Sequence, residues 1–149
     1  MILWRISNYA SLDGKGGLEW PGRWHTRGRG VVYFADSPAA ALLETLVHFE
    51  IDLPDLPARY RLIQVVTPAG ASVERVSVDN LPPGWIEDLT ATQAIGDAWL
   101  SAARSLLLVV PSAIVPATHN VLMNPGHPEA ARVNISSTSE HVIDPRLIR

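Results

Sequence analysis

The stretch VVYFADSPAAALLETLVH, residues 31–48, decides how the rest of the chain is read. Val31 to Ala35 is β-branched and aromatic without a break, as in a buried strand. Ser37-Pro38 then places an N-capping hydroxyl and a first-turn proline in sequence, so a helix starts there. Leu42, Leu43, Leu46 and Val47 recur at helical spacing and predict one apolar face, with the helix ending near Glu50, before Asp52. A strand running directly into a helix, in a chain with strands on both sides of it, sets the class as α+β.

Upstream, Ile2 to Ile6 reads as a short strand. The segment from there to Gly30 holds six of the ten glycines and no apolar period, so it is predicted as a long loop. Loops of this length inside a compact domain are usually functional or disordered, and Trp20, Arg23 and Trp24 suit a binding loop better than a linker. Downstream, Pro54 to Pro57 predicts a turn, Arg59 to Thr67 and Val73 to Val78 predict strands, and Asn80 to Gly84 breaks the chain. Thr92 to Arg104 predicts a helix with Ala94, Ile95, Ala98, Trp99 and Ala102 on one side. Leu106 to Val110 is a fully apolar strand. Pro111, Pro116, Pro125 and Pro128 mark a region expected to have few regular elements, and Val133 to Ser139 is the last predicted strand.

The bulk properties narrow the function classes. With 149 residues, 47% hydrophobic and 18% charged, residues 1–149 are expected to form a single domain with a core large enough to need no disulfide or structural metal. There is no cysteine, hence no thiol nucleophile and no thiolate metal site. Twelve basic against fifteen acidic side chains give a formal charge of −3, which argues against direct binding to a nucleic-acid backbone. The N-terminal residues lack a basic segment followed by an apolar one, and no apolar run approaches the ~20 residues of a membrane span, so a cytoplasmic protein with no membrane partner is expected.

Several residues can carry chemistry. Arg23, in Gly22-Arg23-Trp24-His25, sits on a glycine-bounded loop, where a guanidinium fork suits a phosphate or carboxylate. A solvated arginine beside a packing tryptophan is the alternative. Tyr33 either packs in the core or projects its ring into a cleft. Glu44 falls at the margin of the predicted apolar face, where a carboxylate is either solvated or must find a partner. Ser112 lacks the G-x-S-x-G turn of an activated nucleophile, so it is read as a positioning hydroxyl. Asn120 and Asn124 are read first as turn formers. The five histidines form no spaced ligand pair, and there is neither a P-loop nor a G-x-G-x-x-G, so no metal site is expected.

Taken together and in order, Gly22 to His25, residues 31–48, Val110 to Pro128 (VPSAIVPATHNVLMNPGHP) and Asp144-Pro145-Arg146-Leu147 resemble the RES domain, a family named for arginine, glutamate and serine residues. The resemblance spans nearly the whole chain. It makes Arg23, Glu44 and Ser112 the name-giving residues, Tyr33 a pocket aromatic and Arg5 a second pocket arginine. One departure is His25, where asparagine is frequent, and no role is assigned to it.

The resemblance further implies a fold of the diphtheria-toxin type of ADP-ribosyltransferase and NAD⁺ as substrate, with no other cofactor. It implies a toxin paired with an Xre-like helix-turn-helix antitoxin that blocks the site, with DNA reached only through that antitoxin, and self-association of the toxin. On that basis Arg5, Arg23, Tyr33, Ser112 and Asn120 are expected to bind NAD⁺, and Glu44, Arg23, Tyr33 and Ser112 to serve its cleavage at the nicotinamide N-glycosidic bond. Water or phosphate is the first expected acceptor and a protein side chain the second. A non-enzymatic ligand-binding module is the third reading.

Overall fold

The structure, a computed structural model, describes residues 1–48 and 58–148. The predicted end of the first long helix near Glu50 and the turn at Pro54 to Pro57 lie outside the described residues. Among the described residues seven strands form one sheet: β1 (Ile2–Ile6), β2 (Val32–Ala35), β3 (Arg59–Val66), β4 (Val73–Arg75), β5 (Leu107–Pro111), β6 (His119–Met123) and β7 (Asn134–Val142). Their order across the sheet is β4-β5-β6-β2-β1-β3-β7, antiparallel except for the β4–β5 pair. The described residues also form the α-helices α1 (Lys15–Glu19), α2 (Pro38–His48) and α3 (Leu89–Ala102). The class is α+β, as expected, and no helix among the described residues is long and apolar enough to cross a membrane.

Both faces of the central strands are covered, which is why β5 reads as an unbroken apolar run. Leu107 and Val109 pack with Leu3, Val32, Phe34, Ile63 and Val121 on one face. Leu108 and Val110 pack with Trp24, Val31, Trp99 and Leu122 on the other. β7, at the sheet edge, is largely exposed and built from serine, threonine and charged residues, the composition that keeps an edge strand from pairing with another chain.

Four expectations are corrected. The predicted loop before Gly30 contains α1 and an isolated bridge between Gly22 and His25. The strand expected over Val73 to Val78 stops at Arg75. The proline-marked region after β5 contains β6, a central strand, because its prolines flank the strand and leave its backbone donors free to pair.

The fourth concerns the helix faces. On α2, Leu43 and Val47 are 37% and 55% exposed. Leu42 and Leu46 of the expected face are half-buried, and Ala41, Glu44, Thr45 and His48, at i, i+3, i+4 and i+7, line a cavity rather than filling a core. On α3 the buried residues are Thr92, Gly96 and Trp99, while Ala94, Ala98 and Ala102 are exposed. In both helices a functional or backbone contact takes the place that hydrophobicity alone assigns to leucine or alanine. The α2 N-terminus does form as read: the Ser37 hydroxyl accepts the Ala40 N–H at 3.1 Å.

Candidate active site

Gly22 to His25 folds back on itself, with the Gly22 N–H donating to the His25 carbonyl at 3.0 Å. The His25 ring is 3% exposed and lies beneath this turn. Its Nε2 is 3.0 Å from the Trp20 carbonyl, which can only accept, so Nε2 carries the proton. Nδ1 therefore accepts, and the Tyr33 hydroxyl 2.8 Å away donates to it. The same hydroxyl accepts the Trp24 N–H at 3.2 Å. Burial drives both groups to their neutral forms: it lowers the His25 pKa, against smaller opposing effects of the Trp20 carbonyl and Asp97, and it pushes the Tyr33 hydroxyl far above its ordinary value. Position 22 must be glycine here, since a Cβ would lie 2.7 Å from the Tyr33 oxygen.

Arg23 projects from this turn. Its Nη1 donates to the Trp85 and Ile86 carbonyls at 3.2 and 2.9 Å, and its guanidinium carbon lies 5.8 Å from the centroid of the Trp85 ring. One terminal nitrogen is thus committed to the protein, and Nε and Nη2 hold the remaining donors of the fork. Arg5, on β1, is anchored through Nη1 to the Ser11 carbonyl at 3.0 Å. Burial lowers its pKa, and Asp13 opposes that shift.

The opposite wall is built around Glu44. Its Oε1 accepts the Ser112 hydroxyl at 2.9 Å and the Asn120 amide at 2.7 Å. Ser112 is itself fixed as an acceptor from the Ile114 and Val115 N–H groups. The sheet register makes this meeting possible: Asn120 lies opposite Ala35 of β2 on one side and Val110 of β5 on the other. Hydrogen bonds to a carboxylate are about twice as strong as neutral ones, so two donors on one oxygen hold its direction while Oε2 remains available.

Between the walls lies a cavity of about 860 Å³, within the ~300–1,000 Å³ range of small-molecule sites. Arg5, Arg23, Tyr33, Glu44 and Asn120 all line it. Tyr9 and Trp20, 77% and 73% exposed, also contribute to its lining. Ser112 is not among the residues that line this cavity; its hydroxyl reaches Glu44, which is. Asn120 holds Glu44 as well as facing the cavity. His25 was missed as a site residue. Its one signal in the sequence is a titratable ring two residues after Arg23, and hydrophobic patterning cannot show that a tyrosine eight positions on will meet it. Among the described residues no group of three or more His, Cys, Asp or Glu side chains is placed to hold a metal.

Two guanidinium groups, an aromatic wall and a carboxylate held by two donors line one cavity, a set of groups chemically complementary to anionic and hydroxyl groups. Residues 2–144 match the RES domain family, and the chain belongs to it. It is 49% identical over 135 residues to a protein named Toxin Res from Pseudomonas putida, covering 91% of this chain and 92% of that one. It is 37% identical to the Prs ADP-ribosylating toxin of a Sphingobium species, covering 98% and 96%. A chain from the crystal structure of the M. tuberculosis MbcT–MbcA toxin–antitoxin complex shares the fold, with a TM-score of 0.77 at 19% identity over 98% of this chain and 85% of that one.

Proposed function

We propose that this chain is the toxin of a toxin–antitoxin pair and that it consumes NAD⁺ by cleaving the nicotinamide N-glycosidic bond. The observation that carries the reading is Glu44, held by Ser112 and Asn120 on the wall of a cavity that also presents Arg5 and Arg23. The toxin names of the relatives support the biological role, and the toxin–antitoxin complex among the structural neighbours supports an antitoxin partner. An Xre-like helix-turn-helix antitoxin covering the cavity is the proposed partner, and any contact with DNA is assigned to it.

In this mechanism the pyrophosphate lies against the free donors of Arg23 and against Arg5, whose charge-assisted bonds orient it. The Tyr33 ring, its hydroxyl occupied by His25 and Trp24, offers its face to the cationic nicotinamide. The bond between ribose C1′ and the nicotinamide nitrogen breaks with its electron pair going to the nitrogen, so nicotinamide leaves neutral. The positive charge that develops on the ribose is stabilised by Glu44, whose Oε2 accepts a ribose hydroxyl, as carboxylates do in glycoside hydrolysis. An acceptor oxygen then bonds to C1′, a water molecule giving up one proton to solvent as it does so and a phosphate oxyanion adding directly. Ser112 and Asn120 position Glu44 and touch no reacting atom.

Water or phosphate is the proposed acceptor. Transfer to a protein side chain is the second reading, and the ADP-ribosylating name of the Sphingobium relative favours it. The test is NAD⁺ concentration over time with purified protein, with and without phosphate, beside Glu44→Gln. The expected result is consumption that falls at least ~100-fold in the variant, because the shape is kept and the charge removed. Mass spectrometry separates the acceptors as free ADP-ribose, its phosphorylated form or a modified protein. NAD⁺ left intact under all conditions, with no protein modified, overturns the enzymatic reading in favour of a binding module.

A further inference from the structure

The loop that carries Arg23 has almost no apolar anchor except Trp24, and besides the bonds within the loop, to Gly17 of α1 and to Tyr33 of β2, its backbone is held by side chains of α3. The Gln93 amide donates to the Gly22 carbonyl at 2.9 Å. The Thr92 hydroxyl donates to the Arg23 carbonyl at 2.6 Å. Asp97 accepts the Thr26 N–H on Oδ1 at 3.0 Å and the Thr26 hydroxyl on Oδ2 at 2.6 Å, and its Oδ1 is 3.2 Å from Arg29 Nε. Arg29 Nη1 donates onward to the Ser101 hydroxyl at 2.7 Å. At Gly96 the two backbones touch: a Cβ there would lie 1.6 Å from the Trp24 carbonyl oxygen. A glycine inside a helix is less favourable than alanine, and this contact is its physical reason.

These contacts exceed what packing of Trp24 requires. Three backbone positions of an irregular segment, the Gly22 and Arg23 carbonyls and the Thr26 N–H, are matched to polar side chains of a helix about seventy residues away in sequence. We infer that α3 is the template that registers the Arg23 loop, with Asp97 and Thr26 as positioning residues for ligand binding. Asp97 touches no ligand in this arrangement. It acts by holding Thr26 and Arg29, three and six residues beyond Arg23, so that the guanidinium fork stays aimed at the cavity. Because Arg23 is assigned to the anionic part of the ligand, loosening the loop weakens binding of substrate and transition state alike and raises KM rather than lowering kcat.

The kinetic part of the test rests on the proposed reaction, so a second readout is independent of activity. Asp97→Ala is expected to raise KM for NAD⁺ about tenfold with kcat changed by less than about threefold. Thr26→Val shifts KM in the same direction by less, and Thr26→Ser restores it. In the same proteins the Thr26 amide exchanges with solvent faster in Asp97→Ala than in wild type, while amides of β5 and β6 exchange unchanged. A loss of kcat with unaltered KM, or an unaltered Thr26 exchange rate, overturns the positioning role. If wild-type protein leaves NAD⁺ intact, the proposed function fails, and the exchange rates alone decide whether Asp97 registers the loop.

Discussion

The two walls of the cavity are assembled in opposite ways. The arginine wall is local: Gly22, Arg23, Trp24 and His25 are neighbours in sequence, folded into one turn and then fastened to α3. The carboxylate wall is wholly tertiary, because Glu44, Ser112 and Asn120 come from α2, the end of β5 and β6 and meet only when those strands take their register. A local wall is positioned by backbone bonds and can loosen without disturbing the sheet. A wall made by strand register inherits the rigidity of the core beneath it, here Leu108, Val110 and Leu122.

This contrast predicts that damage to the two walls will separate in kinetics. The largest effect should come from removing both donors to Glu44: Ser112→Ala with Asn120→Ala should lower kcat nearly as far as the ~100-fold expected for Glu44→Gln, with KM near wild type, since a bond to a charged group is worth about 1.5–3 kcal/mol. Steady-state kinetics of the double variant checks it, and an unchanged kcat would mean the sheet alone holds the carboxylate. A smaller effect is expected from Arg23→Ala, which should raise KM for NAD⁺ by about 10–30-fold while sparing kcat. If kcat falls instead, the arginine wall takes part in the chemical step and the separation of roles breaks down.

The smallest expected effect concerns His25 and acid. Burial lowers its pKa from the ordinary 6.5, so in the window just below that value the unfolded chain binds a proton that the folded chain does not. Stability should be fully present above about pH 6.5 and decline as pH falls through the window, since a protonated ring can no longer accept from Tyr33. His25→Gln, whose amide can donate to Trp20 and accept from Tyr33, should flatten that slope in denaturant titrations at several pH values. An equally steep slope in the variant would place the acid sensitivity elsewhere.

Local chemistry made much of this legible. The apolar run Leu106 to Val110, the Ser37-Pro38 start of α2 and the aromatic strand before it depend on propensity and period, and each formed within a residue or so of expectation. Arg23, Tyr33 and Glu44 were marked as candidates by an arginine on a glycine-bounded loop, a tyrosine in an apolar strand and a glutamate at a helix margin, but local pattern left a structural alternative open for each, and only the resemblance to the RES domain joined them into one site. β6 was not legible, because four prolines within eighteen residues suggest irregular structure, and only pairing with β5 and β2 shows that they lie outside the strand. The helix faces escaped for a different reason. Hydrophobic period reports what leaves water, and α2 turns Ala41, Glu44, Thr45 and His48 toward a cavity while α3 turns Thr92 and Gly96 toward a loop backbone.

The amino-acid sequence by itself determined the α+β class and most of the strands, because propensity and period act over a few residues. Only the tertiary structure decided that Ser112 reaches Glu44, that His25 neutralises the polar end of Tyr33, and that α3 holds the arginine loop. Those relations join residues up to about seventy positions apart. Their energy comes from hydrogen bonds made only when both partners are already at the right register, and no local preference encodes that.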